Sequence, residues 1–161
     1  MDKVKNLTPF LSVSPQISEA DVGVLAAQGF KAVINNRPDG ESPDQPAGAV
    51  IEAASRRLGL EYRHVPVVSG PVSDDDVAAF AEALSEIKGP ALAYCRTGTR
   101  CVTLWALSEA HHLDPDAIVK TAGMAGYDLS GLKPRLDLRW RTSELAAEPS
   151  EMLPEAGGTA L

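Results

Sequence analysis

The central motif of this sequence is Ala91-Leu92-Ala93-Tyr94-Cys95-Arg96-Thr97-Gly98-Thr99-Arg100-Cys101, in which four apolar residues lead into polar and charged ones. The apolar residues 91–94 predict a short, central and buried strand. Gly98 allows a sharp bend, and the apolar pattern that follows Arg100 predicts a helix. The motif therefore predicts a strand, a tight loop and a helix in succession, which is the building unit of α/β folds.

Predicted strands and helices alternate outward from this motif. In addition to residues 91–94, strands are predicted at residues 10–14, 32–35 and 61–67. Helices are predicted at about residues 18–28, 47–58, 73–88, 100–112 and 114–123, with Ser18, Ser73 and Asp114 as N-caps. This alternation predicts an α/β fold with a central, mostly parallel sheet of about four to five strands flanked by helices.

The length of 161 residues suits a single domain. We predict one catalytic domain at residues 1–143. From residue 144 onward the chain is rich in Ala, Glu, Pro and Gly and has little apolar surface to bury. Residues 144–161 are therefore predicted to form a flexible or loosely docked C-terminal tail.

The net charge of −7 argues against a nucleic acid or an anionic membrane as partner, because no broad basic face is expected. A small anionic substrate is still compatible with this charge, since it needs only a local pocket. No stretch approaches the roughly 18 apolar residues of a membrane span. Residues 1–6 lead into no apolar run of the signal-peptide kind, so we expect a cytoplasmic location.

The chain has two cysteines, Cys95 and Cys101, which are too few for a disulfide scaffold. Cys95 follows a predicted strand, and open α/β sheets bind ligands at the carboxyl ends of their strands. The N-terminus of the next helix presents unpartnered N–H groups and a positive potential, to which Arg96 and Arg100 add full charges. Such surroundings lower the pKa of a cysteine from about 8.5 to roughly 3.5–7.5, so we predict that Cys95 is a thiolate nucleophile.

The rest of the loop is predicted to hold an anion. Arg100 is assigned a catalytic role beside Cys95, and the predicted anion-binding residues are Arg96, Thr97, Gly98, Thr99, Cys101 and Arg37. The alternative for Cys95 is an inert, buried cysteine. That alternative does not explain why two arginines and a glycine stand in the five residues that follow it.

The loop from Tyr94 to Arg100 resembles the active-site loop of cysteine-dependent phosphatases and rhodaneses. Over residues 7–132 the sequence resembles the phosphatase-like domain of the beta-lactamase-hydrolase-like family. Besides the loop, the segments that carry this resemblance are Ile34-Asn35-Asn36-Arg37-Pro38-Asp39-Gly40-Glu41, Glu61-Tyr62-Arg63-His64-Val65-Pro66-Val67 and Ala125-Gly126-Tyr127-Asp128-Leu129. The resemblance implies a dual-specificity/tyrosine-phosphatase-like fold, and it does not decide the reaction.

The spacing within the loop leaves more than one function open. Arg100 follows Cys95 after four residues, one fewer than in the phosphatase pattern, and Cys101 stands where phosphatases usually carry Ser or Thr. A shorter loop leaves less room for the oxygens of a phosphoryl group. Rhodanese loops are closer in length to the loop of this chain. We expect a phosphatase-like hydrolase acting on a small anionic or phosphorylated substrate. The alternatives are a rhodanese-like sulfurtransferase, which takes a persulfide on Cys95 from a sulfur donor, and a non-catalytic anion-binding module.

A phosphatase of this kind needs a general acid to protonate the leaving oxygen. The comparable region, residues 64–70, contains no carboxylate, so the candidate acid is Asp75 in the acidic run at 74–76. The alternative is that these three acids are ordinary partners of a helix N-terminus. His64 is a further candidate, although a plain strand residue is the simpler interpretation.

Arg37 lies just beyond the predicted strand at 32–35, on the same sheet edge as Cys95. It either adds charge to the pocket, oriented by Asp39 and Glu41, or is a solvated loop residue. Cys101 likewise has two interpretations: a packed helix residue, or a thiol that attacks an oxidised or persulfidated Cys95.

The neighbouring pair His111-His112 is the one sequence feature that suggests a metal site. Adjacent helix residues point in different directions, and no Cys, Asp or Glu completes a ligand set at suitable spacing. We therefore expect no metal, and the sequence suggests no cofactor.

Overall fold

The computed structural model describes residues 1–147 as five strands and six α-helices. The strands are β1 (Lys5–Thr8), β2 (Leu11–Ser14), β3 (Ala32–Asn35), β4 (Glu61–His64) and β5 (Ala91–Tyr94). The helices are α1 (Glu19–Ala27), α2 (Gly48–Arg57), α3 (Asp74–Glu86), α4 (Thr99–Glu109), α5 (Pro115–Met124) and α6 (Lys133–Ala147), with a short 3₁₀ turn at Ser130–Leu132 before the last of them.

The five strands form one sheet in the order β1-β2-β5-β3-β4. Strands β2, β5, β3 and β4 run parallel, and β1 joins the edge antiparallel to β2. The predicted α/β class and mostly parallel sheet are confirmed. Because β5 lies between β2 and β3, the loop that follows it is flanked on both sides by the ends of parallel strands.

Local sequence signals explain where the helices begin. Ser18 and Ser73 each accept a hydrogen bond from the backbone three residues on, and the carboxylates of Asp21 and Asp76 accept one from the cap residue's N–H, so both helices start with a complete capping box. Asp114 caps α5 in front of a proline at its first position. These caps are the ones that the sequence predicts.

The sheet is covered on both faces by helices, so its central strands are buried throughout. One core layer contains Phe80 of α3 and Trp105 of α4 together with Cys95 and Cys101. The other contains Leu25 of α1 and Ile51 of α2.

Two elements were not predicted from the sequence. Strand β1 is short, and its first two residues are exposed, so it carries little apolar signal. Helix α6 buries Leu136 and is otherwise fixed by polar contacts: Arg135 donates to the Val72 carbonyl and Arg139 to the Leu107 carbonyl. The predicted tail begins inside this helix, because residues 144–147 form its last turn. Residues 148–161 of that tail lie outside the described residues.

Within residues 1–147, no helix combines the length and the apolar character that crossing a membrane requires.

Candidate active site

Cys95 lies immediately after β5, at the carboxyl edge of the sheet, as predicted. It is fully buried, with 0% of its surface exposed. Its backbone N–H donates to the Ser14 carbonyl of β2 at 3.4 Å, which anchors the loop to the sheet. The N–H of Gly98 donates to the Cys95 Sγ at 3.1 Å. The loop therefore wraps around the sulfur with at least one amide directed at it.

The surroundings of Cys95 favour its thiolate form. The neighbouring Cys101 thiol, together with backbone N–H groups of Cys101, Gly98 and Thr97, lowers the pKa of Cys95 to about 5, although burial acts in the opposite direction. Hydrogen bonds to the charged form are the usual cause of such a depression. A thiolate is the nucleophilic form of cysteine, so this arrangement supports a reactive Cys95 at neutral pH.

Cys101 is fully buried in the first turn of α4 and packs in the same core layer as Cys95. Burial, and the neighbouring Cys95, raise the pKa of its thiol well above the ordinary value. Cys101 is therefore packed, and its thiol stays protonated beside Cys95. Both cysteines are free thiols.

Arg100 is held by a carboxylate from a distant loop. Its Nη1 and Nη2 donate to the two carboxylate oxygens of Glu41 at 2.8 and 2.9 Å, and Nη1 also donates to the Val67 carbonyl at 2.8 Å. Arg100 lowers the pKa of Glu41, which keeps the carboxylate charged. The guanidinium is thus fixed in orientation beside the Cys95 loop.

Arg37 is not the solvated loop residue that one interpretation suggested, since it is only 3% exposed. Its guanidinium donates to Glu41 at 2.9 Å, Gln16 at 2.9 Å and Ser42 at 3.2 Å. The predicted orienting role of Glu41 is confirmed, whereas Asp39 instead accepts from the Gly48 N–H that begins α2. Arg37 therefore supports Arg100 through their shared carboxylate.

A groove of about 860 Å³ lies over the loop. Its walls are the turn at residues 69–72, the outer face of the loop and α4, and the segment at 131–135. The lining residues are Ser69, Gly70, Pro71, Val72, Arg96, Thr97, Thr99, Arg100, Thr103, Gly131, Leu132, Pro134 and Arg135. This lining includes three arginines and no acidic side chain, so it suits an anionic ligand.

Arg96 is the exposed cation of this groove. Within the described part of the chain its side chain makes no ion pair or hydrogen bond. The nearby Asp44 has its pKa lowered mainly by a hydrogen bond from the Ser42 hydroxyl, and the charge of Arg96 adds a smaller effect. Arg96 also lines a second, smaller cavity of about 220 Å³ together with Arg37, Gln16 and Asp44. Its guanidinium is thus available to a ligand from either side of the loop.

Gly98 caps α4 in the left-handed conformation, with φ of 93°. A side chain at this position would overlap the hydroxyl of Tyr127. That hydroxyl donates to the Thr97 carbonyl at 3.1 Å, so Tyr127 contacts the outer side of the loop. Thr97 also hydrogen-bonds to Thr99 through their hydroxyl groups at 3.1 Å.

The candidate general acids lie apart from the groove lining. Asp75 is exposed in the first turn of α3, and His64 is exposed with its Nε2 3.3 Å from the Arg37 carbonyl. The neighbours of Asp75 have other partners: Asp74 pairs with Arg135 and Arg139, and Asp76 belongs to the Ser73 capping box. The geometry therefore supports the helix-terminus interpretation of this acidic run.

The residues that the structure describes contain no group of three or more His, Cys, Asp or Glu side chains that could hold a metal ion. His111 instead lies with its Nε2 3.3 Å from the Arg139 guanidinium of α6.

Sequence reasoning missed two contributors to this site. The sequence relates Glu41 to Arg37 alone, although its carboxylate binds Arg100 as well. Tyr127 belongs to a segment that carries the family resemblance, but nothing near it in sequence predicts its contact with the loop. Glu41 and Tyr127 both lie in segments that resemble the family, and the residue that each contacts lies far away along the chain.

The sheet order, the helix layers and the loop after β5 define a protein-tyrosine-phosphatase-like α/β fold. The family described as "Beta-lactamase hydrolase-like protein, phosphatase-like domain" matches residues 3–112. The chain belongs to this family.

The chain is 34% identical over 149 residues to a beta-lactamase hydrolase-like protein of Agrobacterium fabrum, covering 91% of this chain and 33% of that protein. It thus spans about a third of the curated relatives that it matches. Among solved structures, a candidate phosphatase from Neisseria meningitidis Z2491 superposes with a TM-score of 0.78 and 36% identity, covering 86% of this chain and 99% of that one. Tk-PTP in its active form superposes with a TM-score of 0.69 at 16% identity, covering 87% and 97% of the two chains, which shows a shared fold.

Proposed function

We propose that this domain is a cysteine-dependent phosphatase-like hydrolase whose nucleophile is the Cys95 thiolate. The observation that carries the proposal is the loop after β5, in which the Gly98 N–H donates to the Cys95 Sγ at 3.1 Å. The Cys101 thiol and the loop amides lower the pKa of Cys95 to about 5, which favours the thiolate. Family membership and the Neisseria structure support the same class of reaction.

The reaction has two steps. The Cys95 Sγ attacks the phosphorus of a monoester or anhydride, a P–S bond forms, and the bond to the leaving oxygen breaks. Water then attacks the phosphorus of the thiophosphate, loses a proton, and releases phosphate and the thiolate. The loop N–H groups and Arg100, oriented by Glu41, stabilise the phosphoryl oxygens in both steps.

The groove lining narrows the substrate class. Because none of its lining residues is a carboxylic acid, the groove is best suited to a substrate whose leaving oxygen departs without a strong proton donor. Aryl phosphates, acyl phosphates and phosphoanhydrides meet this requirement, since their leaving groups are stable anions. Arg100 and Arg135 are paired with Glu41 and Asp74, so Arg96 is the cation that favours a substrate with additional negative charge outside the reacting phosphoryl group.

A second candidate function is sulfur transfer, favoured by the short spacing from Cys95 to Arg100 and by the missing acid. The thiolate attacks the outer sulfur of thiosulfate, an S–S bond forms on Cys95, and sulfite leaves with the electron pair of the broken bond. The persulfide sulfur then passes to cyanide or to an acceptor thiol, which regenerates the thiolate. Sulfite is a stable anion, so this reaction needs no general acid.

A paired assay on the wild type and Cys95→Ser distinguishes these reactions. One arm measures phosphate release from an aryl phosphate and an acyl phosphate, and the other measures thiocyanate from thiosulfate and cyanide. Phosphate release that Cys95→Ser abolishes, without thiocyanate, supports the hydrolase. Thiocyanate alone overturns it in favour of sulfur transfer, and mass spectrometry then shows one added sulfur on Cys95. Binding of phosphate without turnover in either arm identifies an anion-binding module.

A further inference from the structure

The peptide group between Thr97 and Gly98 makes two hydrogen bonds on opposite sides of the loop. Its carbonyl, from Thr97, accepts from the Tyr127 hydroxyl at 3.1 Å. Its N–H, from Gly98, donates to the Cys95 Sγ at 3.1 Å. The peptide bond is planar and its C=O and N–H point in opposite directions when it is trans, so fixing the carbonyl outward also fixes the N–H inward.

We infer that Tyr127 is a positioning residue of the active site: its hydroxyl holds the Thr97–Gly98 peptide so that the Gly98 N–H points at the Cys95 sulfur. The inference rests on the proposed role of Cys95 as nucleophile. Tyr127 itself does not touch the sulfur, and it reaches the loop from the segment between α5 and the 3₁₀ turn. A rotation of this one peptide group would break both hydrogen bonds together.

Gly98 is the residue that allows this arrangement. Its φ of 93° belongs to the left-handed region, which L side chains rarely adopt. A Cβ here would also overlap the Tyr127 hydroxyl, so a glycine is needed for the hydroxyl to approach the peptide. The close approach of the Tyr127 hydroxyl and the direction of the Gly98 N–H toward the sulfur therefore both depend on a glycine at position 98.

Tyr127 remains a donor while Cys95 titrates. Burial, with a smaller contribution from the charge of the Cys95 thiolate, raises the pKa of Tyr127 above its ordinary value of 10.0. The other titratable or charged groups that face Cys95 are Cys101 and Arg100, both on α4. Both residues remain in Tyr127→Phe, so we expect the effect of removing the hydroxyl on Cys95 to report on the peptide orientation.

The test measures the pKa of Cys95 from the far-ultraviolet absorbance of its thiolate, with Cys95→Ser as the blank. The test variant is Tyr127→Phe, which removes a single oxygen and keeps the ring in place. The matched control is Tyr62→Phe, which removes a hydroxyl that hydrogen-bonds to Asn35 in the other core layer. Each variant is paired with its own Cys95→Ser blank, and circular dichroism confirms that each is folded.

We expect Tyr127→Phe to raise the pKa of Cys95 by about half a unit to one unit, the size of one weakened hydrogen bond. We expect Tyr62→Phe to leave it unchanged. A folded Tyr127→Phe variant with the wild-type pKa overturns the positioning role while the proposed nucleophile stands. An ordinary thiol pKa in the wild type itself overturns both, and this outcome is distinct because it does not depend on the variant.

Discussion

The carboxylate of Glu41 binds the guanidinium of Arg100 through two hydrogen bonds of 2.8 and 2.9 Å, although the two residues are 59 positions apart in sequence. The same carboxylate binds Arg37, so it lies between two largely buried cations. Bidentate geometry fixes the plane of a guanidinium as well as its position. The loop after β3 is thus connected to the loop after β5 through one acidic side chain.

Replacement of Glu41 by Gln tests this connection. Removing one member of a buried ion pair leaves the remaining charges unpaired. Because the Glu41 side chain is 20% exposed, we expect a loss of about 1–3 kcal/mol in the free energy of unfolding. We also expect at least a tenfold loss in kcat, because Arg100 is no longer held in one plane.

Urea unfolding and the aryl phosphate and thiocyanate assays check this prediction. The control is Glu52→Gln, which removes an exposed ion pair with Arg56 on α2. It should lower the free energy of unfolding by no more than about 0.5 kcal/mol. Equal stability losses in the two variants would contradict a special role for Glu41.

Replacement of Gly98 by Ala separates backbone strain from steric overlap. Gly29, at the end of α1, has nearly the same φ of 94°, but a Cβ added there would meet no atom within 4 Å, so Gly29→Ala measures the strain alone. That strain is about 1–2 kcal/mol. We expect Gly98→Ala to lower the free energy of unfolding by at least about 1 kcal/mol more than Gly29→Ala does, because the new Cβ overlaps the Tyr127 hydroxyl. Thermal or urea unfolding of both variants gives the difference, and a difference near zero would show that Tyr127 moves away freely.

Replacement of Arg96 by Ala tests the anion-binding role of the exposed groove. Arg96 touches no other described side chain through an ion pair, so its removal should leave stability within about 0.5 kcal/mol of the wild type. We expect KM, or the inhibition constant of inorganic phosphate, to rise about tenfold, which is the loss of one charge-assisted contact. Arg141→Ala, on the exposed side of α6, is the control for net charge. The same rise in both variants would mean that only long-range charge is involved.

The thiolate of Cys95 predicts a pH dependence of stability. Its pKa of about 5 in the folded chain lies below the ordinary value of 9.0. Between these values the unfolded chain binds more protons than the folded one, so stability rises with pH. The contribution is fully present above about pH 9 and is lost as the pH falls toward 5, with a slope of at most about 1.4 kcal/mol per pH unit.

The free energy of unfolding of the wild type minus that of Cys95→Ser, measured from about pH 5 to about pH 9, isolates this contribution because other titrating groups cancel. A difference that does not change with pH would show that Cys95 is protonated in the folded chain.

The sequence predicted most of the sheet because its signals are local. The apolar run at residues 91–94, the Ser18 and Ser73 caps and the loop at Cys95 each depend on neighbours within a few positions. The contacts of Glu41 with Arg100 and of Tyr127 with Thr97 depend on chain segments that meet only after folding. Helix α6 was missed for a related reason, since its polar side chains find their partners on α3 and α4 and leave only a weak apolar pattern.

The complete burial of Cys95 has a kinetic consequence. A thiol reagent, like the substrate of the proposed reaction, reaches the sulfur only in conformations where the loop exposes it, so the observed rate is the intrinsic rate multiplied by the fraction of open molecules. Iodoacetamide requires a narrow opening and a bulky maleimide a wide one. The ratio of their rates, compared with the ratio on a free thiol, therefore measures how much rarer wide openings of the loop are than narrow ones.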